Sequence, residues 1–69
     1  MRPRRVEEIM MPYQPEVALD PFISYGDRIT DAVERMVSTD LKRIAVVQNN
    51  KPVGMIRLED AFAVLGLHS

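Results

Sequence analysis

The chain has 69 residues, a formal net charge of −1 and an isoelectric point of about 5.7, so it forms at most one small domain. It has no cysteine and one histidine, which excludes disulfides and leaves a structural zinc site without its usual ligands. The near-neutral charge gives no overall attraction to nucleic acid or anionic lipid. Because no apolar stretch approaches the ~20 residues of a membrane-spanning helix and no signal region follows the early arginines, we expect a cytoplasmic location and no membrane insertion.

Residues 1–21 are expected to form a basic arm, a short helix and a linker. Apolar residues recur at helical spacing between Arg4 and Met11, which predicts a lead-in helix that Pro12 ends. Residues 13–21 contain two further prolines and are expected to be extended.

The arm carries Arg2, Arg4 and Arg5 within its first five residues. Two interpretations are open, a solvated arm and a phosphate-binding arm. The first is favoured, because so few charges give only weak, non-specific binding to nucleic acid. Nucleic acid is therefore not an expected partner.

A strand and a helix are predicted next. The run Phe22–Tyr25 is rich in aromatic and branched residues, which favour a strand, and Asp27 is the predicted N-cap of the following helix. From Arg28 the apolar residues lie on one helical face: Ile29, Ala32, Val33, Met36 and Val37. The helix is expected to end near residues 38–40, whose side chains compete for backbone groups.

Leu41 to Gly66 combines strand, turn and helix signals. The unbroken apolar run Ile44–Val47 predicts a strand buried on both faces, and Asn49-Asn50 predicts a two-residue hairpin turn. A second strand returns from Lys51-Pro52. A last helix is indicated by the spacing of Leu58, Ala61, Phe62 and Leu65, with Gly66 as its stop.

The predicted fold is α+β, in the order strand, helix, strand, strand, helix. A helical crossover makes the first two strands parallel and the hairpin makes the last two antiparallel, which gives a three-stranded mixed sheet. Both helices are expected on one face of the sheet, which leaves the other face uncovered. Because a domain this small has a marginal core, a homodimer through the uncovered face and the helices is predicted. The domain is placed at residues 22–66, with residues 67–69 as a tail.

The sequence resembles a single CBS domain, the cystathionine-β-synthase-type repeat that pairs into Bateman modules. Four segments carry the resemblance: Arg5–Pro12, Ile29–Met36, Arg43–Val47 and Pro52–Ile56. Two positions depart from the family pattern. Ala45 stands where the family usually has proline, and Arg57 stands where it usually has a serine or threonine that caps the second helix and contacts the ligand.

The resemblance implies a ribose-binding role for Asp60, which lies where the family carries its aspartate. The alternative is that an acidic residue in the first turn only complements the helix dipole. Lys42, Arg43 and Arg57 are the candidate phosphate ligands, and the alternative is solvated protection of the sheet edge. Met55 could contact an adenine ring, although a methionine in a strand is more often part of the core.

Enzymatic function is not predicted, because the chain has no cysteine nucleophile, no glycine-rich phosphate loop and a single histidine, His68, near its end. The leading hypothesis is a non-catalytic regulatory module that needs no cofactor. It would bind AMP, ADP, ATP or S-adenosylmethionine in a cleft between two paired copies. The rival hypothesis is a ligand-free dimerisation module of a larger transporter, channel or metabolic enzyme.

Overall fold

A computed structural model of the chain describes residues 4–66. Its elements are a 3-10 helix at Val6–Glu8, strand β1 at Phe22–Ser24, helix α1 at Ile29–Ser38, strand β2 at Arg43–Gln48, strand β3 at Lys51–Arg57 and helix α2 at Leu58–Leu65. The predicted α+β order is confirmed. No helix within the described range is long and apolar enough to cross a bilayer.

The sheet is three-stranded and mixed, in the order β1-β2-β3, as predicted. Strand β1 runs parallel to β2, and β2 runs antiparallel to β3. The hairpin turns at Asn49 and Asn50, whose φ angles of 53° and 63° lie in the left-handed region that asparagine tolerates better than most residues. Helix α2 ends at Gly66, which has a φ of 72°.

Both helices pack on one face of the sheet, as predicted. This helix face of the core consists of Val6, Ile23, Ile29, Ala32, Met36, Ile44, Val46, Ile56 and Ala61, all fully buried. Val37 was expected in it but is 60% exposed. Eight residues along a helix rotate a side chain about 80° from Ile29, which turns Val37 off the buried stripe.

The prediction that the second sheet face is uncovered is wrong. Side chains alternate along a strand, so Ala45 and Met55 point away from the helices, yet they are only 0% and 2% exposed. They lie beneath Met11, Tyr13 and Val17. We call residues 11–17, which carry these side chains, the covering segment. The chain therefore covers part of this face itself, and only the remainder, with the exposed Phe22 and Val53, is left for a partner.

The covering segment is attached by backbone pairing to the free edge of β3. The Met11 N–H donates to the Met55 carbonyl at 2.8 Å, and the Met55 N–H donates to the Met11 carbonyl at 2.9 Å. Gly54 makes this approach possible, since a Cβ there would lie 2.8 Å from both the Met10 sulfur and the Met11 carbonyl oxygen.

A second backbone pairing joins the start of the chain to the β1–α1 turn. The Val6 N–H donates to the Asp27 carbonyl and the Ile29 N–H donates to the Arg4 carbonyl, each at 2.9 Å. The expected helix from Arg4 to Met11 is therefore reduced to three 3-10 residues, because backbone groups at both of its ends pair with other segments.

Asp27 does not cap helix α1. Arg28 occupies the N-cap and makes no side-chain capping bond, while an Asp27 carboxylate oxygen accepts the Ser24 N–H at 3.1 Å. The first free amide of α1, that of Ile29, is already satisfied by the Arg4 carbonyl, so the sequence signal at Asp27 serves the preceding turn instead. The domain limits drawn at residues 22 and 66 stay a prediction, and residues 67–69 lie outside the described range.

Gly54→Ala is expected to lower the free energy of unfolding by about 1–3 kcal/mol, because the added methyl group overlaps backbone as well as the flexible Met10 side chain. Chemical denaturation measures this, with Val53→Ala at the neighbouring, partly exposed position as the control. Equal stability of Gly54→Ala and the natural chain would contradict the close approach of the covering segment.

Protonation of the Glu8 carboxylate in acid is expected to lower the stability of the fold. It accepts the Arg4 N–H at 2.9 Å and the Arg5 N–H at 2.7 Å, and these bonds hold the pKa of Glu8 below its ordinary 4.5. A lowered folded-state pKa stabilises the fold above the ordinary value, and this contribution is lost as the pH falls through the lowered one. Glu8→Gln should therefore flatten the fall in melting temperature below pH 4.5, whereas Glu34→Gln on the exposed side of α1 should not.

Candidate functional site

Four of the five predicted site residues lie at one end of the β2–β3 hairpin. Arg43 and Arg57 are cross-strand partners, Lys42 precedes β2, and Asp60 lies in the first turn of α2. The Leu58 N–H donates to the Lys42 carbonyl at 2.8 Å, which closes this end of the ladder. The structure therefore brings the candidate phosphate and ribose ligands close together.

Arg57 and Asp60 bind each other in a two-bond ion pair. The Arg57 Nε donates to Asp60 Oδ2 at 2.8 Å, and Nη2 donates to Oδ1 at 3.0 Å. Glu59 lies 3.4 Å from Nη1 of the same guanidinium. The hydrogen bonds that Arg57 donates to the Asp60 carboxylate raise the pKa of Arg57 above its ordinary value, so the group stays charged. The arginine side chain is 40% exposed and that of the aspartate 33%, which leaves the pair open to solvent and to a ligand.

Arg57 occupies the N-cap of α2 without capping it. Its backbone is extended, with φ −95° and ψ 137°, but no side-chain capping bond is made. A guanidinium has donors only and cannot accept a bond from the helix amides, as the sequence implied. The side chain instead turns along the helix and holds the carboxylate of the third residue, so its local effect is to fix the position of Asp60.

Asp60 keeps capacity for further bonds. A carboxylate offers about four acceptor sites on its two oxygens, and the Arg57 pair uses one on each oxygen. The remaining sites can accept two hydroxyl groups that lie side by side. A vicinal diol, such as that of a ribose, has this arrangement.

Arg43 is held by two residues that the sequence reasoning missed. Its Nη1 donates to the Gln14 side-chain oxygen at 2.8 Å and lies 3.7 Å from Glu16 Oε1. Both partners lie in the covering segment, almost thirty residues earlier in the chain. No local sequence signal could have identified them, since the contact depends on how that segment crosses the sheet. Glu59, also missed, could have been found as the acidic neighbour of Asp60.

The candidate site is balanced in charge. Its basic groups are Lys42, Arg43 and Arg57, and the acidic groups nearby are Glu16, Glu59 and Asp60. Lys42 lies between two shallow hollows. One is formed with Arg43 and the residues around Val17, and the other with Leu58, Glu59 and Phe62. Arg43 and Arg57 each lie within ion-pair distance of a carboxylate, whereas Lys42 makes no ion pair within residues 4–66.

The Met55 side chain is buried and is not accessible to a ligand in this structure. It is 2% exposed and packs with Ala45 and Val17 beneath the covering segment. Contact with a purine ring would require Met11 and Tyr13 to move. Met55 is thus a core residue, which was the alternative interpretation of a methionine in a strand. A contact between Met55 and a ligand stays a prediction.

Residues 4–66 contain no group of three acidic or histidine side chains arranged to hold a metal ion. Comparison with known families gives one match, in which the model of the CBS domain covers residues 6–66. The match includes the 3-10 helix and the covering segment as well as both α-helices and all three strands. No curated protein and no solved structure matches the chain.

The missing cap predicts a stability difference between two substitutions of Arg57. Both Arg57→Ser and Arg57→Ala remove the ion pair with Asp60, but only serine can accept a bond from the first-turn amides of α2. Arg57→Ser should therefore be more stable than Arg57→Ala by about 1 kcal/mol in chemical denaturation. Equal stability of the two variants would show that α2 gains nothing from a side-chain hydrogen bond at its N-cap.

Proposed function

The chain belongs to the CBS domain family, whose members are in general regulatory and non-catalytic modules, and we propose that it is a module that binds an adenosine-containing ligand and pairs with a second copy. The ligand class proposed is AMP, ADP, ATP or S-adenosylmethionine. The observation that carries the proposal is the partly exposed Asp60 carboxylate, which Arg57 orients and which has acceptor sites that Arg57 does not use.

The ribose is assigned to Asp60. Hydrogen bonds to an ionised acceptor are roughly twice as strong as neutral ones, so a carboxylate is a suitable partner for a diol. Arg57 acts here as a positioning residue, because its two bonds hold both carboxylate oxygens in one orientation. This role differs from the hydroxyl contact that the family usually makes at this position.

The phosphate or other charged group of the ligand is assigned to Lys42 and Arg43. Lys42 has no ion-pair partner within residues 4–66, and the Arg43 side chain is 42% exposed. The Arg43 contact to Glu16 is long, at 3.7 Å, and both groups are exposed, so an anion can replace it at little cost. The bond to Gln14 does not neutralise the guanidinium, which leaves its charge available.

Pairing of two copies is supported by the part of the second sheet face that the covering segment leaves open. Phe22 lies beside Ala45 in the sheet register and is 40% exposed, and Val53 is 38% exposed. A partner sheet placed on these side chains would remove apolar surface from water. A ligand that binds between the copies regulates by favouring one arrangement of the pair over another.

A second candidate function is a ligand-free interaction domain. It is favoured by the internal pairing of the two arginines, since Arg57 is already bound to Asp60 and Arg43 to Gln14. In that case the ion pairs stabilise the hairpin end, and pairing with another chain is the whole function.

Titration calorimetry with adenosine, AMP, ADP, ATP and S-adenosylmethionine separates the two candidates. Binding of at least one member is expected, and Asp60→Asn should weaken it about tenfold because a charge-assisted bond is lost. Asp31→Asn, an exposed aspartate of α1, is the matched control and should bind as the natural chain does. Light scattering on the same samples should give the mass of two chains.

Two outcomes would contradict the proposal. Absence of heat with every ligand at millimolar concentration would leave the interaction domain as the function, provided that light scattering still shows a pair. Equal affinity of Asp60→Asn and Asp31→Asn would place the ligand elsewhere on the domain.

A further inference from the structure

Three arginines line a hollow where residues 4 and 5 meet the start of α1. The hollow is formed by Arg4, Arg5, Arg28, Thr30 and Leu65. It lies outside the β2–β3 hairpin end that carries Asp60, and none of its basic residues belongs to that candidate site.

Arg5 and Arg28 are directly opposed across an antiparallel bridge. The flanking bonds, Val6 N–H to Asp27 and Ile29 N–H to Arg4, make them a non-hydrogen-bonded pair. Side chains approach most closely in such a pair and point to the same side. Like charges on directly opposed residues disfavour such a pairing.

The carboxylates of Glu7 and Glu8 accept bonds from backbone amides, although the charge of Glu8 also attracts those of Arg4 and Arg5. Glu8 accepts the N–H groups of Arg4 and Arg5, and Glu7 accepts the Gly26 N–H at 3.1 Å. Within residues 4–66, no ion pair joins Arg4, Arg5 or Arg28 to a carboxylate. Among the bonds to described residues, one involves a side chain of these three arginines: Arg5 Nη1 donates to the Gly26 carbonyl at 3.2 Å.

The second opposed arginine pair of the protein makes the contrast clear. Arg43 and Arg57 are also cross-strand partners, but each has a protein acceptor for its guanidinium: Gln14 for the first and Asp60 for the second. At that end of the domain Arg57 is ion-paired with Asp60 and Arg43 lies 3.7 Å from Glu16, whereas within residues 4–66 no carboxylate forms an ion pair with Arg5 or Arg28.

We propose that Arg4, Arg5 and Arg28 form a binding site for a phosphoryl group. Guanidinium groups offer planar pairs of donors that match phosphate oxygens, and a divalent anion between Arg5 and Arg28 removes their repulsion. The Thr30 hydroxyl lines the same hollow and supplies a further donor. The phosphoryl group belongs either to a soluble phosphate compound or to a phospholipid headgroup, which share this chemistry.

Calorimetric titration of the full chain with inorganic pyrophosphate at low ionic strength tests the site. Arg5→Gln and Arg28→Gln should each weaken binding about tenfold, because each removes one charged donor pair. Lys51→Gln makes the same change in charge at the exposed hairpin turn and should leave binding unchanged. Vesicles of phosphatidylcholine with and without phosphatidic acid provide the second arm, and sedimentation that depends on Arg28 would identify a lipid headgroup as the source.

Thermal unfolding gives an independent readout. Without pyrophosphate, Arg28→Gln should melt at a higher temperature than the natural chain, since the like-charge repulsion is gone. With pyrophosphate, the natural chain should gain more in melting temperature than the variant does.

Absence of pyrophosphate binding together with absence of vesicle sedimentation would overturn the proposal, as would an equal loss of binding in Lys51→Gln. Adenosine carries no phosphate and should not compete with pyrophosphate. Failure of this site is therefore distinguishable from failure of the adenosine-binding function.

Discussion

The pair of backbone hydrogen bonds between Met11 and Met55 is the interaction on which the arrangement of this domain depends. Strand β3 would otherwise present a free edge, and the sheet would have one face exposed to water. The two bonds attach the covering segment to that edge, and Tyr13 and Val17 then close over Ala45. Gly54 is the local requirement, since any side chain at this position would collide with the incoming backbone.

The covering segment also determines the chemistry of the candidate site. It brings Gln14 and Glu16 to Arg43, and it encloses Met55. Apart from Lys42, the charged groups of the site are thus already paired within the chain. A ligand would have to replace some of these contacts in order to bind. Affinity at such a site depends on what the ligand adds beyond the bonds it replaces, so tight binding is expected only where ribose and anion are recognised together.

Arg57 departs from the family pattern at the N-cap of α2, and its contacts explain what the arginine does there. From the sequence it indicated either a phosphate ligand or a site that had lost its function. The structure gives it a different local role, because two of its three guanidinium nitrogens bind the Asp60 carboxylate and the third lies 3.4 Å from Glu59. The aspartate is ordered by an ion pair where a hydroxyl would have capped the helix.

The sequence predicted the elements and their order because each has a strong local signal. The position of Asn49-Asn50 between two apolar runs predicted the hairpin. The helical spacing of apolar residues from Ile29 to Val37 predicted α1. The covering segment could not be predicted in this way, since its contacts join residues far apart in the chain and its composition resembles a linker. The cluster at Arg4, Arg5 and Arg28 was missed for the same reason, as only the bridge between segments brings Arg28 to the arm.

Whether the covering segment is part of the fold is tested most directly by hydrogen exchange of two amides. In the natural chain at neutral pH, the Met11 and Met55 amides should exchange as slowly as amides between β2 and β3, because each donates to a carbonyl of the other residue. Exchange of both amides at the rate of an unstructured chain, with the β2–β3 amides still protected, would show that the second sheet face is open and would contradict the account.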